Sequence, residues 1–207
     1  MVNKKSKYYN ARLADYNVKE YLLEKHGAKE VNSISKNLIT MDSFVQRDFG
    51  IPGDGDCTLT SLMTIIYYHC EKSLHYKAIY SVVRNLAEKH FFNVKTGTNP
   101  LFIKSIFDKS LKAIGVKDLK TKAAMVKGIG YNLKTIKKAI DCGKPVVLSM
   151  FNDGRDYYQN HSITVAGYET FKVDNKEVVM LLVYDNWSKT LAHLDYDALC
   201  IVSSVNY

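Results

Sequence analysis

The chain has 207 residues, of which 29 are basic and 21 acidic, giving a formal charge of +8; 46% are hydrophobic and 12% aromatic. That apolar content excludes a disordered tail, because it can bury a core large enough to offset chain entropy, and the length suits one domain at roughly 100 to 200 residues each. The longest wholly apolar run, Val178–Val183, falls far short of the roughly 20 residues that cross a bilayer, so no membrane span is expected.

The start, MVNKKSKYYN, is basic but has no apolar stretch behind it, which predicts a cytoplasmic chain or a mature secreted form. Residues 1–48 are polar, with helix-like spacing at Val18, Tyr21 and Leu22 and a stop at Gly27. They read as an N-terminal helical arm or a removable pro-segment, and both readings stay open. Residues 49–207 form the main domain, helical over 49–142 and β-rich over 143–207.

That domain opens on a punctuated loop, Phe49-Gly-Ile-Pro-Gly-Asp-Gly-Asp56, which cannot continue any regular element. From Cys57 to about Lys72 the apolar residues Leu59, Leu62, Met63, Ile66, Tyr67 and Cys70 follow helical spacing, predicting a helix with one buried face and Cys57 at its N-terminal end. Further helices are expected at Tyr76–Lys89, at Pro100–Ile114, and at Leu133–Cys142 behind an Asn132 cap. The period then changes to that of strands: Pro145–Phe151, His161–Tyr168, Glu177–Tyr184 and Leu199–Val205, with Asp174-Asn175-Lys176 as a hairpin turn. Helices first and an antiparallel sheet afterwards predict an α+β fold.

The chemistry-bearing residues are few. A thiol is a strong nucleophile only as its thiolate, which a helix N-terminus favours, so Cys57 is well placed. Gly53 and Gly55 would let another chain approach the sulfur, while Asp54 and Asp56 should oppose ionisation and create a need for a basic partner. Of six histidines, His161 is the best partner, because it begins a strand after a loop. Asp185 ends the next strand of the hairpin and can reach back to His161 to fix its tautomer. Cys70, Cys142 and Cys200 read as core cysteines and Trp187, the only tryptophan, as a core aromatic.

Other readings are excluded. The cysteines lack a CxxC pair, so structural zinc is not expected. Asp54-Gly-Asp56 fails as a calcium loop because Leu59 and Ile65 stand where glycine and glutamate are required. Gly128-Ile-Gly130 is too short for a phosphate loop. The lysines sit at spacings of solvated helix faces, and four arginines are too few for a nucleic-acid footprint. No cofactor and no metal is expected.

Three segments together resemble papain-like cysteine peptidases, and more closely the bacterial peptidase C39-like and streptopain-like branch: Asp56-Cys57-Thr-Leu-Thr-Ser-Leu at a helix head, Asn160-His161-Ser-Ile-Thr-Val-Ala-Gly-Tyr168, and Val183-Tyr-Asp-Asn-Trp-Ser188. With the strand Gly143–Leu148, the resemblance covers roughly residues 49 to 190. It implies a papain-like fold, a peptide or protein substrate, Cys57 as nucleophile, His161 as general base and later acid, and Asp185 as the orienting residue. Trp187 would shield the His–Asp hydrogen bond, and an acyl-enzyme would be hydrolysed by water. The family's oxyanion glutamine, six residues before the cysteine, is here Ile51. Gln46 and Asn152 are the candidate substitutes, with Asn186 and Trp187 as further oxyanion or orienting candidates. Two alternatives remain beside hydrolysis: an acyltransferase of the same fold, and a catalytically inactive binding module.

Overall fold

The computed structural model describes residues 12–13, 18–49, 55–71, 73–116, 119, 121–124, 133–150, 160–198 and 201–206. Ile51, Gly53, Asp54, Gly128–Gly130, Asn132, Asn152 and Cys200 lie outside the described residues. The elements run β1 (Arg12–Leu13), α1 (Val18–His26), β2 (Val31–Leu38), α2 (Cys57–His69), α3 (Tyr76–Glu88), α4 (Ile103–Ala113), β3 (Lys122–Ala124), α5 (Leu133–Asp141), β4 (Val146–Met150), β5 (His161–Val173), β6 (Lys176–Tyr184), β7 (Ala192–Asp195) and β8 (Ile201–Asn206). This is an α+β fold.

The strands form one antiparallel sheet in the order β1-β7-β6-β5-β4-β8-β3. β5 organises it. One edge pairs with β6 from Thr164↔Tyr184 to Val173↔Lys176; the other pairs first with β4, from Met150↔His161 to Val146↔Val165, and then with β2, from Leu38↔Gly167 to Val31↔Val173. The handover falls at Ala166, whose carbonyl accepts from Ile39 N at 2.8 Å. Gly167 is required there, because a Cβ would lie 2.4 Å from the Asn37 carbonyl oxygen and 3.0 Å from Leu38 Cα. The glycine of the Val-Ala-Gly-Tyr segment is thus explained by a strand crossing closely over it.

β2 and β7 are elements that the residue pattern did not predict. β2 (VNSISKNL) is almost wholly exposed apart from Val31, so it shows no two-residue apolar alternation; main-chain pairing to β5 holds it. Its neighbour α1 buries Val18, Tyr21 and Leu22 on Phe171, Val173 and Met180, and Tyr21 Oη donates to the buried Asp195 carboxylate at 2.5 Å, with Lys25 also bonded there. The 174–176 hairpin forms as expected, with Asp174 in left-handed backbone (φ 49°) and its carboxylate accepting from Lys29 N and Glu30 N, both at 3.0 Å.

Alternation along β4 divides the cores. Val146, Leu148 and Met150 pack toward Ile136, Ala139 and Ile140 of α5, whereas Val147 joins α2, α3 and α4. α2 departs from expectation: every residue from Cys57 to Ile66 is buried, not one face only. Leu59, Leu62, Met63 and Ile66 enter the α3–α4 core, each contributing about 1.5 to 3 kcal/mol. The short hydroxyl side chains Thr58, Thr60, Ser61 and Thr64, also buried, permit the close packing of this helix. Among the described residues, no helix is long and apolar enough to cross a membrane.

Candidate active site

Cys57 is the first residue of α2. Asp56, just before it, accepts the first helical bond through its carbonyl (Thr60 N, 2.9 Å), but its buried carboxylate makes no helix cap. It accepts instead from Gln46 Nε2 at 3.0 Å and Tyr80 Oη at 2.6 Å, and burial followed by this carboxylate pushes the Tyr80 phenol up. The Asp56 carboxylate, expected to oppose the thiol, is thus held by two donors: Tyr80, which the sequence did not single out, and Gln46, expected there as an oxyanion candidate.

His161 opens β5 beside Cys57: Thr58 Oγ1 and Ser162 Oγ, on the residues that follow them, are 2.7 Å apart. Cys57 and His161 are both largely buried, at 9% and 4% exposure. Burial alone would push the thiol up; the charge and hydrogen bond of His161, the Ser162 backbone N–H and the Thr58 hydroxyl outweigh it, so the thiol lies below its ordinary value. Burial likewise disfavours the imidazolium, yet the Cys57 charge and hydrogen bond, the Asp185 carbonyl and the Asp185 charge raise His161 above its ordinary value. The two displacements are opposite in sign, the direction that favours the charged form of each.

Asp185 reaches His161 through its main chain: Nε2–H donates to the Asp185 carbonyl at 2.7 Å. Its carboxylate Oδ1 accepts from Trp187 N and Ser188 N, each at 3.0 Å, which fixes the turn that presents that carbonyl. The Trp187 ring lies over the imidazole, centroids 4.2 Å apart and planes at 32°. At 44% exposure it is a lid on the ring, not the core aromatic that its rarity suggested. The physical reason is that one indole face meets His161 while the other meets solvent.

Asn186 sits in left-handed backbone (φ 63°), a conformation asparagine tolerates. Its Nδ2 lies 3.1 Å from the Cys57 carbonyl, 2.7 Å from Ser61 Oγ and 2.8 Å from the Ser162 carbonyl. One amide thereby ties the start of α2 to the start of β5. The Asn186 main-chain carbonyl accepts from Gln46 N at 2.9 Å, while the Gln46 side chain reaches Asp56, the residue preceding the cysteine.

The close approach allowed by Gly55 is made by the chain itself. Gly55 N donates to the Val94 carbonyl at 2.6 Å, and a Cβ at Gly55 would lie 2.7 Å from Gly97 N. The other cysteines differ from their expected burial: Cys70 is half-buried and Cys142 exposed, because each follows the last turn of its helix at the surface. No cluster of three or more metal-ligating side chains occurs among the described residues.

The hydroxyl row beside the sulfur was missed by sequence reasoning. Thr58 Oγ1 and Ser162 Oγ are 2.7 Å apart, and Ser162 Oγ and Ser149 Oγ 2.8 Å, all buried. The only available signal was the density of Ser and Thr in a helix otherwise rich in aliphatics.

No curated protein compared with the chain matches it. The model of the Peptidase_C39 like family matches residues 38–201, a span that begins at the last residue of β2 and takes in the α2 cysteine, the β5 histidine and the turn after β6. The chain belongs to the Peptidase_C39 like family.

Proposed function

We propose that the protein is a papain-like cysteine peptidase, or a related amide hydrolase, acting on a peptide or protein substrate. Residues 49–207 carry the nucleophile and the base; of the N-terminal arm ahead of them, α1 and β2 dock on the sheet and Gln46 reaches the residue before the cysteine. Membership of a peptidase family supports peptidase-type chemistry. The observation that carries the finer reading is the convergence of buried Cys57 and His161, with Asn186 Nδ2 bonded to both the Cys57 and the Ser162 carbonyls and Thr58 touching Ser162 at 2.7 Å; the opposed shifts in proton affinity agree with it.

In this reading the Cys57 thiolate attacks the scissile carbonyl, forming an S–C bond and a tetrahedral oxyanion. The His161 imidazolium then donates its proton to the departing amine as the C–N bond breaks, leaving a thioester. Water, deprotonated by the now neutral imidazole, attacks that thioester and releases the acid and the thiolate. Asp185 orients the ring through its carbonyl and favours the imidazolium through its charge. The Cys57 N–H, at the positive end of α2, is one oxyanion donor. Gln46, whose amide is anchored on the carboxylate of Asp56 immediately before the cysteine, is the second. Trp187 keeps solvent off the His161–Asp185 bond.

The test is intact-mass analysis after exposure to an irreversible thiol electrophile, with Cys57→Ala as control, followed by turnover of a peptide library. Because Cys142 is exposed, labelling is compared at about pH 6, where an ordinary thiol with its value near 8.5 is almost wholly protonated. One adduct, on Cys57, together with loss of turnover in Cys57→Ala, is expected. Labelling of Cys57 no faster than Cys142 at that pH, or turnover retained by Cys57→Ala, would overturn the reading.

A further inference from the structure

We propose that the end of α3, the segment 89–102 after it and the first turns of α4 form a docking surface for an anionic lipid bilayer, on which the protein lies without spanning it. Neither the proposal nor its test depends on the peptidase reading.

The apolar side chains come first. Phe91 is 81% exposed, Leu101 67% and Val94 38%, and the Phe91 and Phe102 ring centroids are 5.9 Å apart. Apolar residues exposed singly are ordinary, whereas several together in a charged surround mark a contact surface. Phe91 also lies in left-handed backbone (φ 62°), at the point where Phe92 N turns back to the Ala87 carbonyl at 3.0 Å and closes α3. Glycine is the residue such a helix end prefers, and a bulky side chain there is disfavoured. The chain thus keeps a strained, largely exposed aromatic that folding does not need, which points to a use outside the core.

Neighbouring contacts hold the surface in shape. His90 ties α3 to α4: Lys109 Nζ donates to its Nε2 at 2.9 Å, so Nδ1 carries the proton and donates to the Leu86 carbonyl at 2.7 Å. The turn bearing Val94 and Lys95 is closed by Gly97 N on the Asn93 carbonyl at 2.6 Å and by Asn93 N on the Gly97 carbonyl at 3.2 Å. Gly55 N donates to the Val94 carbonyl at 2.6 Å and fixes the turn to the body of the protein.

The charge selects the occupant. From Arg84 to Ala113 stand six basic residues and two acidic ones, half of the formal +8 in about a seventh of the chain. Both acids are paired, Glu88 with Arg84 and Asp108 with Lys104, while Lys89, Lys95 and Lys109 are exposed. A second copy of the chain would bring like charge against this surface. A nucleic-acid backbone would suit the lysines but offer nothing to Val94 and Leu101. An anionic bilayer suits both, its headgroups attracting lysine and its acyl boundary receiving the apolar side chains.

The test is co-sedimentation of the full chain with phosphatidylcholine vesicles holding about one-quarter phosphatidylserine, against phosphatidylcholine alone. Binding is expected to the anionic vesicles only, and should weaken as salt is raised. Phe91→Gly relieves the backbone while deleting the ring, so the melting temperature should hold or rise and vesicle binding should fall about tenfold. Lys95→Glu should weaken binding about fivefold or more, whereas Lys176→Glu, the same charge change at the exposed β5–β6 hairpin, should move it less than about twofold. Should Phe91→Gly fold poorly, Leu101→Ser is the second variant, with a loss of about fivefold expected. Binding to neither vesicle, equal binding to both, or binding unmoved by the Phe91 and Leu101 variants would overturn the proposal. So would a dimer, or a complex with a single-stranded oligonucleotide, that Phe91→Gly abolishes while anionic vesicles are ignored.

Discussion

The His161 ring nitrogen Nε2 stands 2.7 Å from the carbonyl oxygen of Asp185, so the group that sets the imidazole tautomer includes one that no side-chain substitution removes. The Asp185 carboxylate contributes its charge and fixes the turn through Trp187 N and Ser188 N. Asp185→Asn keeps an oxygen able to accept those two N–H bonds and loses the charge. It should lower the apparent His161 value and cost about tenfold in kcat/KM, one unit's worth, well short of the roughly 10⁴-fold loss seen where the tautomer is lost. A pH–rate profile of the variant checks this.

Trp187 is the only tryptophan and lies 4.2 Å from the imidazole, so its fluorescence reports the ring's charge, protonated imidazole being a quencher of indole. His161 is raised above its ordinary value: emission should be quenched at low pH and recover as pH rises through a midpoint above about 6.5. In Cys57→Ala the thiolate that raises His161 is gone while burial remains, so the midpoint should fall. A midpoint unchanged by Cys57→Ala would break the link.

The same pair sets the pH window of activity. The thiol is depressed, so its charged form is present above its folded value; the imidazole is raised, so its charged form is lost as pH rises through its own. Plotted against pH, kcat/KM should be bell-shaped, its acid limb reporting formation of the ion pair and its alkaline limb loss of the imidazolium proton. Steady-state rates on any turned-over peptide measure it.

Gln46→Ala removes the proposed second oxyanion donor and should lower kcat by about 100- to 1000-fold with KM little changed. It also takes a donor from the buried Asp56 carboxylate, so thermal unfolding should be measured alongside. A full loss of stability with kcat unchanged in the folded fraction would assign Gln46 a structural role.

Gly55→Ala places a methyl 2.7 Å from Gly97 N and 2.9 Å from Gly97 Cα, both backbone atoms, so one of the two loops must move. Since Gly55 is two residues from Cys57, the alkylation rate at Cys57 should fall along with the melting temperature; Gly27→Ala, where nothing lies within 4 Å, should change only the latter.

Residues within one element were legible. Helical spacing located α2 through α5, alternation located β4, β5, β6 and β8, and Asp174-Asn175 marked its hairpin, because each is a local preference written in consecutive side chains. Cys57 and His161 were legible as candidates for the same reason: each sits at an end of a recognisable element. β2 was not, since an exposed strand needs no apolar alternation when its pairing is main-chain. Nor was the burial of Asp56, whose partners lie 10 and 24 residues away in the chain.

What the amino-acid order determined by itself was therefore the set of elements, the polar helix head bearing Cys57, and a histidine and an aspartate at successive strand ends. What only the tertiary structure decided was how they meet: Asp185 meeting the ring through its carbonyl, Trp187 as a half-exposed lid, Asn186 bridging α2 and β5, and three hydroxyls from two strands and a helix in one buried row. Hydrogen bonds of that kind depend on tenths of an ångström between segments far apart in sequence. Such distances are set by packing, which no local pattern encodes.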